Sequence, residues 1–131
     1  MMTVSKKIEY GLAVLLFLSK NREEMTSLRQ VAKSLGLPYR FLGQVTTSLS
    51  QAGMVESKEG KNGGYWLADN WGERSVYDLI VALGEDKRLV TCLEDGGEGC
   101  KRFEGCKIKK VWQRAERALQ EELKRSKLRD I

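Results

Sequence analysis

All three cysteines of the 131-residue chain, Cys92, Cys100 and Cys106, fall in the stretch TCLEDGGEGCKRFEGCK, residues 91–107. Thiolates are soft ligands that favour zinc and iron–sulfur clusters. The glycines Gly96, Gly97, Gly99 and Gly105 let such a loop wrap around a ligand. Lys101, Arg102 and Lys107 beside the thiols would stabilise thiolates and offset the negative charge of a cluster. Structural zinc sites tend to carry C-x2-C knuckles, and none is present, so the spacing fits a cluster better than a zinc finger. Three ordinary reduced thiols are the plain alternative, although so polar a loop is not where buried core cysteines are expected. Disulfides use thiols in pairs and closed metal sites usually want four ligands, so the odd count leaves a fourth ligand to be found.

Composition narrows the chemistry further. The chain has no histidine, which removes Ser-His-Asp and Cys-His catalysis, His-ligated metals and the usual neutral-pH general base. The expectation is a protein that is not an enzyme. The net charge of +5 makes a polyanionic partner plausible, and it is spread out. Residues 1–90 carry 12 Lys/Arg against 10 Asp/Glu and residues 91–131 carry 11 against 8, so no basic tail would bind alone. The apolar run Leu12–Leu18 follows two lysines, yet it is far short of the ~20 residues that span a bilayer and has no signal-peptide cleavage pattern. It reads as a buried helix in a cytoplasmic protein. In that compartment clustered thiols are metal-binding or redox-active sooner than disulfide-bonded.

The elements that must position these groups follow from periodicity. Ser5 or a neighbour starts a first helix that reaches Lys20, with Ile8, Leu12, Leu15, Leu16 and Phe17 among its core candidates. Thr26 or Ser27 caps a short helix from Leu28 to Leu35, and Gly36 ends it. Pro38 suits the start of the next helix, Tyr39 to Ala52, with Phe41, Leu42, Val45 and Leu49 inward and Gly53 closing it. Two short helices joined by a tight Gly-containing turn are a helix-turn-helix. Met54–Ser57 and Tyr65–Leu67 then read as two strands around a Gly- and Lys-rich loop, and a hairpin in that place makes a winged helix. A fourth helix covers Val76 to Leu83. The last runs from Cys106 to Ser126, with Ile108, Val111, Trp112, Ala115, Leu119 and Leu123 in one stripe. That stripe suits a partner helix in a symmetric dimer, the alternative being packing against its own domain. The fold class expected is mainly α with a small β-hairpin wing. Residues 1–84 would form the DNA-binding domain, its first helix also contacting the partner. Residues 85–105 would form the cluster-binding loop and 106–131 the dimerisation helix.

In this scheme the third helix reads DNA. Arg40 could reach guanine and Gln44 adenine, with Thr47 and Ser48 nearer phosphates. Ser27, Pro38 and Tyr39 complete the DNA-facing set on the helices, and Lys58, Lys61, Asn62 and Gly63 supply the wing.

The ordered set SKKIEYGLAVLLFL, LRQVAKSLGLPYRFLGQV, GMVESKEGKNGGYWLA, the three-cysteine loop and CKIKKVW resembles the bacterial winged-helix iron–sulfur regulators that include IscR and NsrR. The resemblance covers nearly the whole chain. It implies a homodimer that binds a near-palindromic operator, often as a repressor. An iron–sulfur cluster on Cys92, Cys100 and Cys106 would sense nitric oxide, redox state or iron–sulfur supply. It also implies a fourth ligand. Members with a histidine carry it where this chain has Lys109, whose ammonium offers no lone pair. Others use a carboxylate from the first helix, the position of Glu9 of the partner subunit. Those carboxylate-bearing relatives favour a 4Fe-4S cluster over 2Fe-2S. The chain departs from the family pattern in its longer first cysteine gap. It also has Gly43 where an acid often precedes the glutamine, and Glu59 where a minor-groove arginine is common. The competing readings are a DNA binder switched by thiol oxidation or zinc, and a cluster-free module for protein contacts.

Overall fold

The computed structural model describes residues 4–85, 88 and 105–131. Among the described residues, the regular elements are five α-helices and one hairpin: α1 Lys6–Lys20, α2 Leu28–Leu35, α3 Tyr39–Gln51, β1 Val55–Lys58, β2 Gly64–Leu67, α4 Val76–Ala82 and α5 Lys109–Arg125. The fold class expected from the sequence is the one found, with most boundaries within a residue. The exception is the start of α5. It begins at Lys109, so Cys106 precedes the helix where the sequence pattern placed it in the first turn. Two short 3-10 turns, Trp71–Glu73 and Leu128–Asp130, had no signal in the periodicity.

Local chemistry accounts for the boundaries. The Ser5 side chain accepts from the Ile8 N–H and opens α1. Of the two capping candidates for α2, Ser27 is the cap. Its hydroxyl accepts from the Gln30 N–H at 3.2 Å, and the Gln30 side chain accepts from the Ser27 N–H at 2.8 Å. Gly36 leaves α2 at φ 65, a left-handed conformation that a side chain would resist, and this makes the tight turn into α3 possible. Ser75 and Asp78 form the same reciprocal cap on α4.

The core lies between α1, α3, α4 and the wing. Val14, Leu15, Leu18, Leu42, Val45, Leu49, Met54, Leu79, Ile80 and Leu83 are all buried. Each such side chain stabilises the fold by about 1.5–3 kcal/mol relative to exposure. In α1, Ile8 and Leu15 are buried as expected, while Leu12, Leu16 and Phe17 are half-buried beside Val14 and Leu18, which take the deepest places. Tyr10 meets Phe41 edge-on, with ring centroids 5.2 Å apart, and so locks α1 to α3. Gly11 packs where α4 comes closest: a Cβ there would stand 3.0 Å from the Leu83 side chain.

The hairpin is antiparallel, with Val55 opposite Leu67 and Lys58 opposite Gly64. Its second strand has a further partner. Tyr65 N–H donates to the Thr26 carbonyl at 2.8 Å, and Thr26 N–H donates back at 3.1 Å. The wing is thereby tied to the residue that precedes the cap of α2. Gly64 allows the approach, because a Cβ there would lie 2.9 Å from the Thr26 backbone.

Candidate nucleic-acid interface

Helix α3 has two faces. Leu42, Val45, Thr46 and Leu49 are buried, and Phe41 is half-buried. Opposite them, Arg40, Gln44, Thr47 and Gln51 are exposed at spacings of four, three and four, which puts them in one stripe along the helix. Thr46 and Thr47 both turn their hydroxyls back onto their own helix. Thr47 Oγ1 donates to the Gly43 carbonyl at 2.8 Å, leaving its lone pairs as the free function. Ser48 is half-buried, and Pro38 is the exposed cap residue, with no side-chain hydrogen bond to offer.

Tyr39 is 49% exposed at the start of α3, and the Arg29 guanidinium lies 5.2 Å over its ring. Arg29 was missed by sequence reasoning. The available signal was its place in the first turn of α2, where a cation opposes the helix dipole and so adds nothing to helix stability. Ser27 is the cap two residues ahead of Arg29, and its side-chain oxygen already serves that cap.

Lys58 ends β1, and Lys61 and Asn62 are exposed in the turn between the strands. Gly63 is placed by need as much as by function. A Cβ on it would collide with the Lys58 carbonyl, and its N–H donates to the Gly60 carbonyl at 3.0 Å to close the turn. At the other end of the ladder, Trp66 Nε1 donates to Glu56 Oε2 at 2.8 Å, a cross-strand pair on the exposed face.

The residues expected to bind a cluster are described only in part. Cys92 and Cys100 lie outside the described residues. Cys106 is a half-buried free thiol three residues ahead of α5. Among the described residues, no three Cys, Asp or Glu side chains gather as a metal site. Glu9 sits in the first turn of α1, with its side chain 51% exposed, and accepts from Lys6 Nζ at 3.2 Å. Within one chain it is thus a solvated first-turn acid, not a buried one. Lys7 Nζ donates to the Leu83 carbonyl at 2.9 Å, which fixes that turn to the end of α4.

The stripe on α5 divides in two. Ile108, just ahead of the helix, is 59% exposed, and Val111 and Trp112 are 57% and 41% exposed. Leu119 and Leu123 are half-buried, and Leu123 packs against the core. Lys124 Nζ lies 4.7 Å over the Tyr77 ring on α4. Packing on the chain's own domain therefore holds for the C-terminal half of the stripe, while the N-terminal half stands clear among the described residues. No described helix is long and apolar enough to cross a membrane.

The arrangement has known counterparts. The structure of CymR, the global cysteine regulator of B. subtilis, superposes with a TM-score of 0.76 at 33% identity, covering 99% of this chain and 95% of that one. The IscR of T. potens does so with a TM-score of 0.71 at 28% identity, over 98% and 85% of the two chains. In sequence, the HTH-type transcriptional regulator NsrR of Shouchella clausii is 27% identical over 99% of this chain and 88% of its own length. The family model described as an iron-dependent transcriptional regulator matches residues 4–131. Its description as a regulator agrees with the expectation that the chain is not an enzyme. With its helix-turn-helix and wing in place, the chain belongs to the Rrf2 family of DNA-binding transcription regulators.

Proposed function

We propose that the protein is a homodimeric regulator that reads a near-palindromic operator with α3 and the wing, and whose DNA affinity is set by an iron–sulfur cluster. The observation that carries the DNA half is the exposed stripe Arg40, Gln44, Thr47 and Gln51, backed by a fully buried opposite face. A helix held this rigidly can present its first turns to base edges in the major groove. Arg40 would donate two hydrogen bonds to guanine and Gln44 would pair with adenine. Lys58, Lys61 and Asn62 would meet the backbone or minor groove from the wing, and Ser27, Pro38, Tyr39, Thr47, Ser48 and Gly63 would line the approach.

The cluster half rests on the chemistry of the donors. Cys92, Cys100 and Cys106 are three soft ligands within one short segment, and Cys106 is free and half-buried. Glu9 is exposed and therefore available to the other subunit, so Glu9 of the partner subunit is the proposed fourth ligand, with 4Fe-4S as the favoured cluster. When bound, the group supplies a redox- and nitric-oxide-sensitive centre. The chain's residues supply its charge balance and its link to dimer geometry. Residues 1–84 would act as the DNA-binding unit, 85–105 as the cluster loop and 106–131 as the dimer arm. The exposed Ile108, Val111 and Trp112 favour the dimer, since each would bury apolar surface against a second α5.

Arg40→Ala tests the reading of DNA. Loss of a bidentate base contact should cost about 1–3 kcal/mol at the operator and relax specificity at one position. Equal operator affinity in wild type and variant would remove α3 from the role.

A further inference from the structure

The last residues of the chain are not a loose end. Leu128 is 1% exposed in the core. Val76 N–H donates to the Ser126 carbonyl, and Leu128 N–H donates to the Arg74 carbonyl, both at 2.9 Å, so that Ser75 and Lys127 form an antiparallel bridge. Two side-chain contacts reinforce it: Lys127 Nζ donates to the Glu73 carbonyl at 3.1 Å, and Arg129 pairs with the Glu73 carboxylate at 2.6 Å. Ser126 is also the residue that caps α5. The end of the α5 arm is therefore hydrogen-bonded directly to the segment Glu73–Val76.

That same segment holds the end of α3. Arg74 Nη1 donates to the Ala52 carbonyl at 2.9 Å, and Ala52 is the C-cap of α3. The last carbonyls of a helix lack partners within it, and a cation there is favoured by the helix dipole. Asp78 Oδ2 lies 3.8 Å from Arg74 Nε and also accepts from Ser75 N–H and Oγ, which steadies the guanidinium from the other side. One residue thus joins two elements: its backbone carbonyl holds Leu128 in the hook that follows α5, and its side chain holds the end of α3.

We infer that Arg74 is a positioning residue through which the α5 arm sets the orientation of α3 for operator recognition. The inference rests on the proposed role of α3 in reading DNA and adds the route by which that helix is held. A static arm would keep α3 in register, and a shift of α5 at its Cys106 end would reach α3 through the Ser126–Leu128 hook and Arg74.

The experiment uses the full-length protein and measures affinity for operator and for an unrelated duplex across a salt series. Arg74→Ala should lower the ratio of operator to unrelated-DNA affinity by about three- to tenfold, the range expected for one hydrogen bond. Affinity for the unrelated duplex and its salt slope should not change, because Arg74 is not proposed to touch DNA. Arg74→Lys, which keeps a cation able to meet the Ala52 carbonyl, should restore most of the ratio. Leu128→Ala should lower the ratio too, and the double variant should fall short of the sum, as expected for two parts of one link. Arg74→Ala removes no buried apolar side chain, so it decides the matter alone if Leu128→Ala fails to fold. An unchanged ratio in Arg74→Ala, with Arg40→Ala lowering it, overturns the link alone. If Arg40→Ala also leaves the ratio unchanged, the reading of α3 fails and the link with it. An equal loss of both affinities in Arg74→Ala would mark general destabilisation and also overturn the link.

Discussion

At the scale of the residue, the chemistry divides between groups with settled local roles and groups left free. Ser27, Thr46 and Thr47 spend hydroxyl capacity on their own helices, whereas Arg40 and Gln44 are exposed on the opposite face of α3 from the core. Among cations, Lys61 is exposed on the wing, where the proposed role is to neutralise phosphate. Lys61→Ala should weaken binding about equally across DNA sequences and reduce the salt slope by about one. A change in sequence preference with no change in slope would instead make Lys61 a base reader. Glu9 is the more consequential residue. Its ion pair with Lys6 is surface-exposed and adds little to stability, of the order of 0–1 kcal/mol. Glu9→Ala should therefore leave the melting temperature of cluster-free protein unchanged while making the cluster more labile under anaerobic chelation. Equal lability in both proteins would exclude Glu9 as a ligand.

At the scale of the element, α3 and the wing were legible because their signals are local: Pro38 and Gly36 as punctuation, period-3.6 apolar positions, and a glycine-rich loop between short apolar strands. The tie between Thr26 and Tyr65 was not legible, since nothing in either residue announces a bridge across 38 intervening residues. Nor was the hook at Leu128, a single leucine among charged neighbours with too little sequence around it for a period to show. The helical period through Ile108 continues the α5 stripe, yet the helix begins only at Lys109, and Ile108 serves as its N-cap residue without a side-chain cap bond. A cap of that kind leaves the end of the helix without the local signal that marked α2 and α4. The exposed N-terminal half of the stripe carries its own prediction. Trp112→Glu should shift the protein from dimer to monomer in sedimentation, since it puts a charge into the proposed seam. A variant that sediments as a dimer at the same concentration would move the interface elsewhere.

At the scale of the whole molecule, the described residues form one unit in which each working part is fastened to another. The wing is tied to α2 through Thr26, α1 to the end of α4 through Lys7, and the C-terminal hook to α3 through Arg74. The sequence motifs pointed to the family and to the thiols as the sensing chemistry. How the arm meets α3 could only be seen in three dimensions, because it depends on backbone carbonyls that any sequence would carry. The proposal has a thiolate-held cluster controlling operator affinity. It is tested most directly by operator titrations of anaerobically purified protein, with iron and visible absorption quantified, before and after iron is removed. The expected result is a brown protein whose colour requires Cys106 and whose operator affinity changes when the iron is stripped. A colourless, iron-free protein that binds the operator with the same affinity throughout would contradict it.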